Sequence, residues 1–183
     1  ILKIWEKIHP LFIGSHPMAG TEEKGVSAGN IKLFDNAKWI LTPTSTSDQK
    51  SIKVLYKLFE SMGCYVSIES PLIHDQAVAL ISHLPIYISS CLIETANIQD
   101  DINLLELSRK LASTGFSDTS RIGGGNAELG VDLAKNNTKN IIHYLKKFKA
   151  HLSNLENILE NGNWDLLLKK LKESKQSRDY FCK

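Results

Sequence analysis

Ser70-Pro71-Leu72-Ile73-His74-Asp75-Gln76-Ala77-Val78-Ala79 is the stretch at which this chain changes character. Before it, short β-type runs alternate with an amphipathic helix; after it the strand signal does not return. Ser70 is a good N-cap and Pro71 takes the first helical position, where a missing N–H costs nothing. The pattern predicts a helix through His74, Val78 and Ile81, kinked at Pro85, which removes the bond to the carbonyl of Ile81. Asp75 is expected in its first turn, where a carboxylate suits the positive end of the dipole. Asp75, Ala79, Ser82 and Ile86 are expected to share a face, with His83 one step round from it.

Upstream, Leu11-Phe12-Ile13-Gly14 reads as a buried strand that runs out into Ser15-His16-Pro17. Lys38-Trp39-Ile40-Leu41-Thr42 is a second strand closed by Pro43, and Cys64-Tyr65-Val66-Ser67-Ile68 is a third. Between them, Thr46 and Gln49 have capping-box spacing, Ile52, Leu55, Phe59 and Met62 form one helical stripe, and Gly63 ends it. Strand, helix and strand with short connections predict the edge of an α/β sheet. Downstream, Leu104, Leu107 and Leu111 mark a helix ending at Gly115, and residues 118–126 read as a loop. Ile141, Leu145, Phe148, Leu152, Leu155 and Leu159 then recur as a heptad seam, read either as a long core helix or as one packed along a partner helix. Leu166, Leu167, Leu168 and Leu171 belong to a last helix after Gly162.

The chain has 183 residues, 42% of them hydrophobic and 23% charged, which excludes a disordered, collagen-like or disulfide-scaffold protein. No apolar run is expected to approach the length that crosses a bilayer, and no membrane partner is expected. The net charge of +2 is too small for a nucleic-acid footprint over the whole chain. Residues 139–183 hold ten basic and five acidic side chains, a basic helical tail most simply read as a solvated face. Cys64, Cys91 and Cys182 are odd in number and form no CxxC pair, so reduced thiols and a cytoplasmic setting are expected.

Chemistry concentrates at three places. His16 lies just past an expected strand end, where open α/β sheets bind ligands, and is a general acid/base candidate. His74-Asp75 opens the long helix. Arg121 stands before Gly123-Gly124-Gly125, able to offer its planar fork to a carboxylate or phosphate; the triple glycine fails GxGxxG and is not a nucleotide loop. Nothing has zinc spacing, so no metal site is expected.

In order, His16-Pro17-Met18-Ala19-Gly20-Thr21, Leu41-Thr42-Pro43-Thr44, His74-Asp75-Gln76-Ala77-Val78-Ala79 with Ser82-His83-Leu84-Pro85, and Asp118-Thr119-Ser120-Arg121 resemble the prephenate/arogenate dehydrogenase family of tyrosine biosynthesis, most closely its cyanobacterial arogenate-type members. The resemblance covers nearly the whole chain. It implies the α/β edge of a Rossmann-type nucleotide-binding domain over 1–69, followed by an all-α dimerisation domain over 70–183. It also implies that the Gly-rich cofactor loop lies upstream of Ile1, so that the cofactor-binding residues, and the choice of NADP or NAD, are not readable here. The implied reaction is oxidative decarboxylation of a small molecule, arogenate or prephenate, by a homodimer. The resemblance makes His16 the base at the ring hydroxyl and Arg121 the partner of the ring carboxylate. Thr21 and Glu22 then line the pocket, with Asp75 and His83 at its ionisable rim. Prephenate-preferring members often carry SHLPH where this chain has Ser82-His83-Leu84-Pro85-Ile86, so the lean is to arogenate. Two other readings stand beside this one: a non-catalytic helical dimerisation fragment, and another hydroxy-acid dehydrogenase of similar build. The latter typically relies on a lysine base, absent from the loop of His16.

Overall fold

The structure, a computed structural model, describes residues 2–20, 29–30 and 32–182. It divides into two compact units, residues 1–137 and 138–183.

In the first unit, helix α1 (Leu2–Ile8) precedes a three-stranded sheet of β1 (Gly14–Pro17), β2 (Lys38–Thr42) and β3 (Tyr65–Ile68), in that spatial order. β2 and β3 are parallel, joined by α2 (Gln49–Ser61) as a strand–helix–strand crossover. β1 runs antiparallel to β2, with Gly14 opposite Thr42 and His16 opposite Ile40. This corrects the expectation for His16: it sits inside an antiparallel edge strand, not in a loop past a parallel one. A Cβ at Gly14 would stand 2.5 Å from Thr42 Oγ1, so a larger residue there would force that side chain to move.

The core beneath the sheet joins Ile13, Trp39, Leu41, Ile52, Phe59 and Cys64, with Leu41 wholly buried. Trp39 stacks on Phe59, ring centroids 3.9 Å apart and planes within 12°. The α2 stripe is therefore as expected at Ile52 and Phe59, and Gly63 ends the helix at φ +83, a conformation glycine adopts freely. The cap differs. Asp48, not Thr46, takes the N-cap, its carboxylate accepting from the backbone N–H of Ser51 at 2.7 Å and from its hydroxyl at 2.8 Å.

Ser70 caps α3 (Pro71–Val78) as expected, accepting from Ile73 N at 3.2 Å. Instead of a simple proline kink, a π turn over Ala79–His83 carries the chain into α4 (Leu84–Asn97). The wider turn lies just before Pro85, and the helix continues through it. Taken as one helix, Pro71–Asn97 is long and apolar enough to cross a membrane by length and composition. That corrects the sequence expectation, which counted unbroken apolar residues and missed that the few polar ones here are thinly spread.

α5 (Ile102–Leu111) ends at Ala112, before Gly115. Residues 118–120, expected in a loop, instead complete α6 (Thr114–Ser120), leaving 121–126 irregular. The tie is tertiary: buried Ser89 donates its hydroxyl to Thr119 O at 2.8 Å and accepts from Gly123 N at 2.9 Å. A Cβ on Gly123 would land on the backbone of Ser89 and Ser90, which accounts for one glycine of the triple. Tyr87 adds a bond from its hydroxyl to Gly130 O at 2.8 Å.

Helix α7 (Ala127–Glu160) is non-helical at Asn137 (φ −136, ψ 28), where the first unit ends. The second unit holds the rest of α7 and α8 (Trp164–Phe181), separated by Gly162 at φ +60. Of the heptad seam, Ile141 is buried, while Leu152 and Leu159 are about half exposed in the single chain.

Candidate active site

A cleft of about 570 Å³ opens in the first unit, lined by α1, β1, the end of β2, the start of α3 and Asn136 of α7. The volume lies within the roughly 300–1,000 Å³ range of small-molecule sites. Leu2, Phe12 and Pro71 give it apolar walls; Ser15, His16, Thr42, His74, Asp75 and Asn136 give it polar ones.

His16 and His74 meet here across 58 positions of sequence. His16 Nδ1 lies 2.8 Å from His74 Nε2, the rings edge to face with centroids 5.1 Å apart. The other nitrogen of His74, Nδ1, is 3.0 Å from Asp75 Oδ1. Local structure explains why the two can meet. The Ser70 cap and Pro71 fix the helix start, and His74 N donates to Ser70 O at 3.0 Å in the first helical bond. Asp75 therefore lies one position beyond the first turn, so it does not play the dipole role expected for it; it holds His74 instead. Asn137 Nδ2 donates to the backbone carbonyl of Asp75 at 2.7 Å and anchors this turn of α3.

Partial burial, and then the neighbouring His74, hold the His16 imidazole below its ordinary pKa of 6.5. It is thus neutral, and able to accept a proton, in the range where an unperturbed histidine is still partly charged. His83, at the end of the π turn, is buried, and its Nδ1 has no hydrogen-bond partner among the described residues. Its pKa is lowered too, by burial first and then by His16; Asp75 opposes this and His74 adds to it. The histidines of β1, α3 and the π turn therefore share one electrostatic neighbourhood.

His83 itself is not among the residues lining the cleft. Arg121 is exposed at the end of α6, on the loop pinned by Ser89, and is not among the residues lining the cleft. Thr21 and Glu22 lie outside the described residues. Sequence reasoning gave no role to His74, Thr42 or Asn136. Only the His74-Asp75 dipeptide offered a signal, because side-chain bonding between a histidine and a carboxylate orients the ring.

The apolar side of the cleft at Leu2, Phe12 and Gly14 can take a flat ring, with the His16 and His74 imidazoles on its polar side. No group of three or more His, Cys, Asp or Glu able to hold a metal occurs among the described residues.

Comparison with known proteins gives two family matches, the nucleotide-binding domain of prephenate dehydrogenase over residues 1–68 and its dimerization domain over residues 70–173. The prephenate dehydrogenase of Bacillus subtilis (strain 168) is 29% identical over 92% of this chain and 45% of its own length. Synechocystis arogenate dehydrogenase superposes with a TM-score of 0.90 at 38% identity, covering 96% of this chain and 63% of the other. Prephenate dehydrogenase from A. aeolicus, in complex with hydroxyphenyl propionate and NAD+, superposes with a TM-score of 0.87 at 30% identity, covering 94% and 60%. The chain spans about half the length of the curated relatives it matches.

Proposed function

This chain belongs to the prephenate dehydrogenase family, and from that premise we propose that it forms the substrate-side part of an enzyme that oxidatively decarboxylates arogenate, or prephenate, in tyrosine biosynthesis. The observation that carries the reading is the half-buried His16 imidazole, its pKa lowered by burial, hydrogen-bonded to His74 in a cleft of substrate size. A bound nicotinamide dinucleotide, NAD or NADP, supplies the hydride acceptor. Leu2, Phe12 and Gly14 are the residues here that would hold its ring, the nucleotide end belonging to the Rossmann-type part.

His16 accepts the proton of the ring hydroxyl as the carbon beneath it gives up hydride. The resulting ring ketone breaks its bond to the ring carboxylate, CO2 leaves, and the electron pair aromatises the ring to a phenolate. That oxygen recovers the proton from His16, so the imidazole ends each turnover neutral. Arg121 is proposed to hold the ring carboxylate, a charge-assisted bond of about 1.5–3 kcal/mol. Thr21 and Glu22 are proposed to line the pocket. Asp75 is proposed at its rim, and His83, with its unpartnered buried Nδ1, as a contact to substrate oxygen.

Ile86, in place of a second histidine, supports arogenate as the preferred substrate. The boundary between the two functional parts is proposed at 69/70, just ahead of the Pro71 helix start. The helical part is proposed to form a homodimer, supported by the half-exposed Leu152 and Leu159 of the seam. A cytoplasmic setting is proposed, in keeping with three cysteines free of disulfide pairing.

The test is His16→Asn in the full-length protein. It should leave KM close to wild type and lower kcat by roughly 10²–10⁴; near-normal turnover would remove His16 from the chemistry. Comparing kcat/KM for arogenate and prephenate in wild type and Ile86→His tests the substrate preference.

A further inference from the structure

Three side chains of the cleft are joined in series: Asp75 Oδ1 to His74 Nδ1 at 3.0 Å, then His74 Nε2 to His16 Nδ1 at 2.8 Å. An ionised carboxylate only accepts, so the proton of the first bond sits on His74 Nδ1. A neutral His74 then has its lone pair on Nε2, and the second bond requires a proton on His16 Nδ1. The lone pair of His16 is left on Nε2, the nitrogen that His74 does not engage.

We propose that His74, oriented by Asp75, is a positioning residue that fixes His16 in the Nδ1–H tautomer and so makes Nε2 the atom that takes the hydroxyl proton. The inference rests on His16 being the base, as proposed above. It adds a task for a residue that the sequence leaves without one. Three features of the cleft favour it. His74 is mostly buried while Asp75 is about half exposed, so the pair anchors from the rim inwards. The opposite arrangement needs His74 to donate from both ring nitrogens at once, which takes an extra proton on that ring, whereas the proposed arrangement makes both bonds with a neutral imidazole. Finally, the proton taken by His16 returns to the product oxygen within the same turnover, so the chain need only orient and stabilise an imidazolium for that interval. Conducting the proton to solvent is not required. A tautomer lock does this; a loosely held imidazole would spend part of its time with Nε2 already protonated.

Long-range 1H–15N correlation spectra of the 15N-histidine-labelled protein at pH 8 test the lock directly, with His16 assigned by the signals lost in His16→Asn. The expected spectrum shows His16 protonated on Nδ1 with an unprotonated Nε2. His74→Gln should preserve it, because the amide oxygen can accept from Nδ1–H, while His74→Ala should release a tautomer mixture. In the full-length enzyme His74→Ala should lower kcat by roughly 10- to 100-fold with KM near wild type, less than the 10²–10⁴ of losing the base itself, and His74→Gln should recover most of the loss. Finding His16 as the Nε2–H tautomer in the wild type overturns the proposal, as does an unchanged tautomer in His74→Ala or a kcat loss that glutamine does not recover. If His74→Ala does not fold, the wild-type and His74→Gln spectra still decide. Normal turnover in His16→Asn with an Nδ1–H spectrum in the wild type would instead fault the base assignment and leave the hydrogen-bond chain standing.

Discussion

The sheet edge and the helices that follow it hold themselves together by different means. Around β2, a few large side chains close a core of their own, with Trp39 stacked on Phe59 and Leu41 fully buried. Helices α5 and α8 bury no residue at all, and Ile102, Leu104, Leu107 and Leu111 on the first, with Leu166, Leu168 and Leu171 on the second, stand in the open. A fully buried leucine is worth about 1.5–3 kcal/mol over an exposed one, so α5 and α8 leave unused most of what their apolar residues can contribute. The difference teaches that the strands close a core of their own within one chain, whereas α5 and α8 have the composition of a surface awaiting cover. In the proposed dimer a second copy provides it.

Four substitutions or conditions break or sharpen that contrast. The largest effect on stability is expected for Trp39→Ala, which removes one half of the aromatic stack and should cost about 3–5 kcal/mol by urea denaturation. A loss below 1 kcal/mol would mean the sheet edge is not self-sufficient. Gly123→Ala comes next. It strikes a close-packed point of the helical part, where the new methyl meets the backbone of Ser89 and Ser90, and should cost about 1–3 kcal/mol. Unchanged stability would mean the loop can lift from α4 freely.

Those two positions also show what a sequence can reveal. Trp39, Ile52 and Phe59 were legible because period and pattern along a short segment decide burial. Caps were legible where the signal is local, as at Ser70, and misread where two candidates compete within three residues, as with Thr46 and Asp48. α6 was hidden because Thr114-Gly115-Phe116-Ser117-Asp118-Thr119-Ser120 has poor helix propensity and owes its winding in part to Ser89, thirty residues away. The direction of β1 was hidden for a related reason: strand pairing is a long-range property that its own four residues do not encode. At the site, His16 and His83 were each legible as candidates. The His16–His74 bond was not, since nothing within either segment announces a partner 58 positions away.

Smaller again is a pH effect at the junction of the two regions. His16 of the sheet and His83 of the helix both have pKa values lowered from 6.5 by burial. Well above pH 6.5 both are neutral folded or unfolded, and stability should be flat with respect to them. Below it the unfolded chain binds protons that the folded chain refuses, so stability should decline as pH falls through the lowered folded pKa values. Thermal melts from pH 8 to pH 5 should show this slope, and His83→Gln should flatten it. An identical slope in that variant would assign the loss to other groups.

The smallest effect on the fold is expected for Leu152→Lys. Because Leu152 is 53% exposed in the single chain, the change should alter monomer stability by no more than about 0.5 kcal/mol. It should nonetheless prevent association, by placing an unpaired charge in the proposed interface. Analytical ultracentrifugation should then give a folded monomer where wild type is a dimer. A wild-type monomer at micromolar concentration, or a dimer that tolerates the lysine, would return the seam to the role of an ordinary helix face.

The π turn at Ala79–His83 has a consequence for how this gene can vary. A π turn is an α-helix that has taken in one extra residue, and each residue of an α-helix rotates the next by about 100°. Deleting any one residue of the five would restore even winding and swing everything beyond it by that angle. His83 would leave its neighbourhood, Tyr87 would lose Gly130, and Ser89 would turn away from Thr119 and Gly123. Point changes here alter one contact at a time, but a shortened codon count would misalign all of them at once. The segment should therefore bear substitutions far better than indels: what it conveys is a count as much as a chemistry.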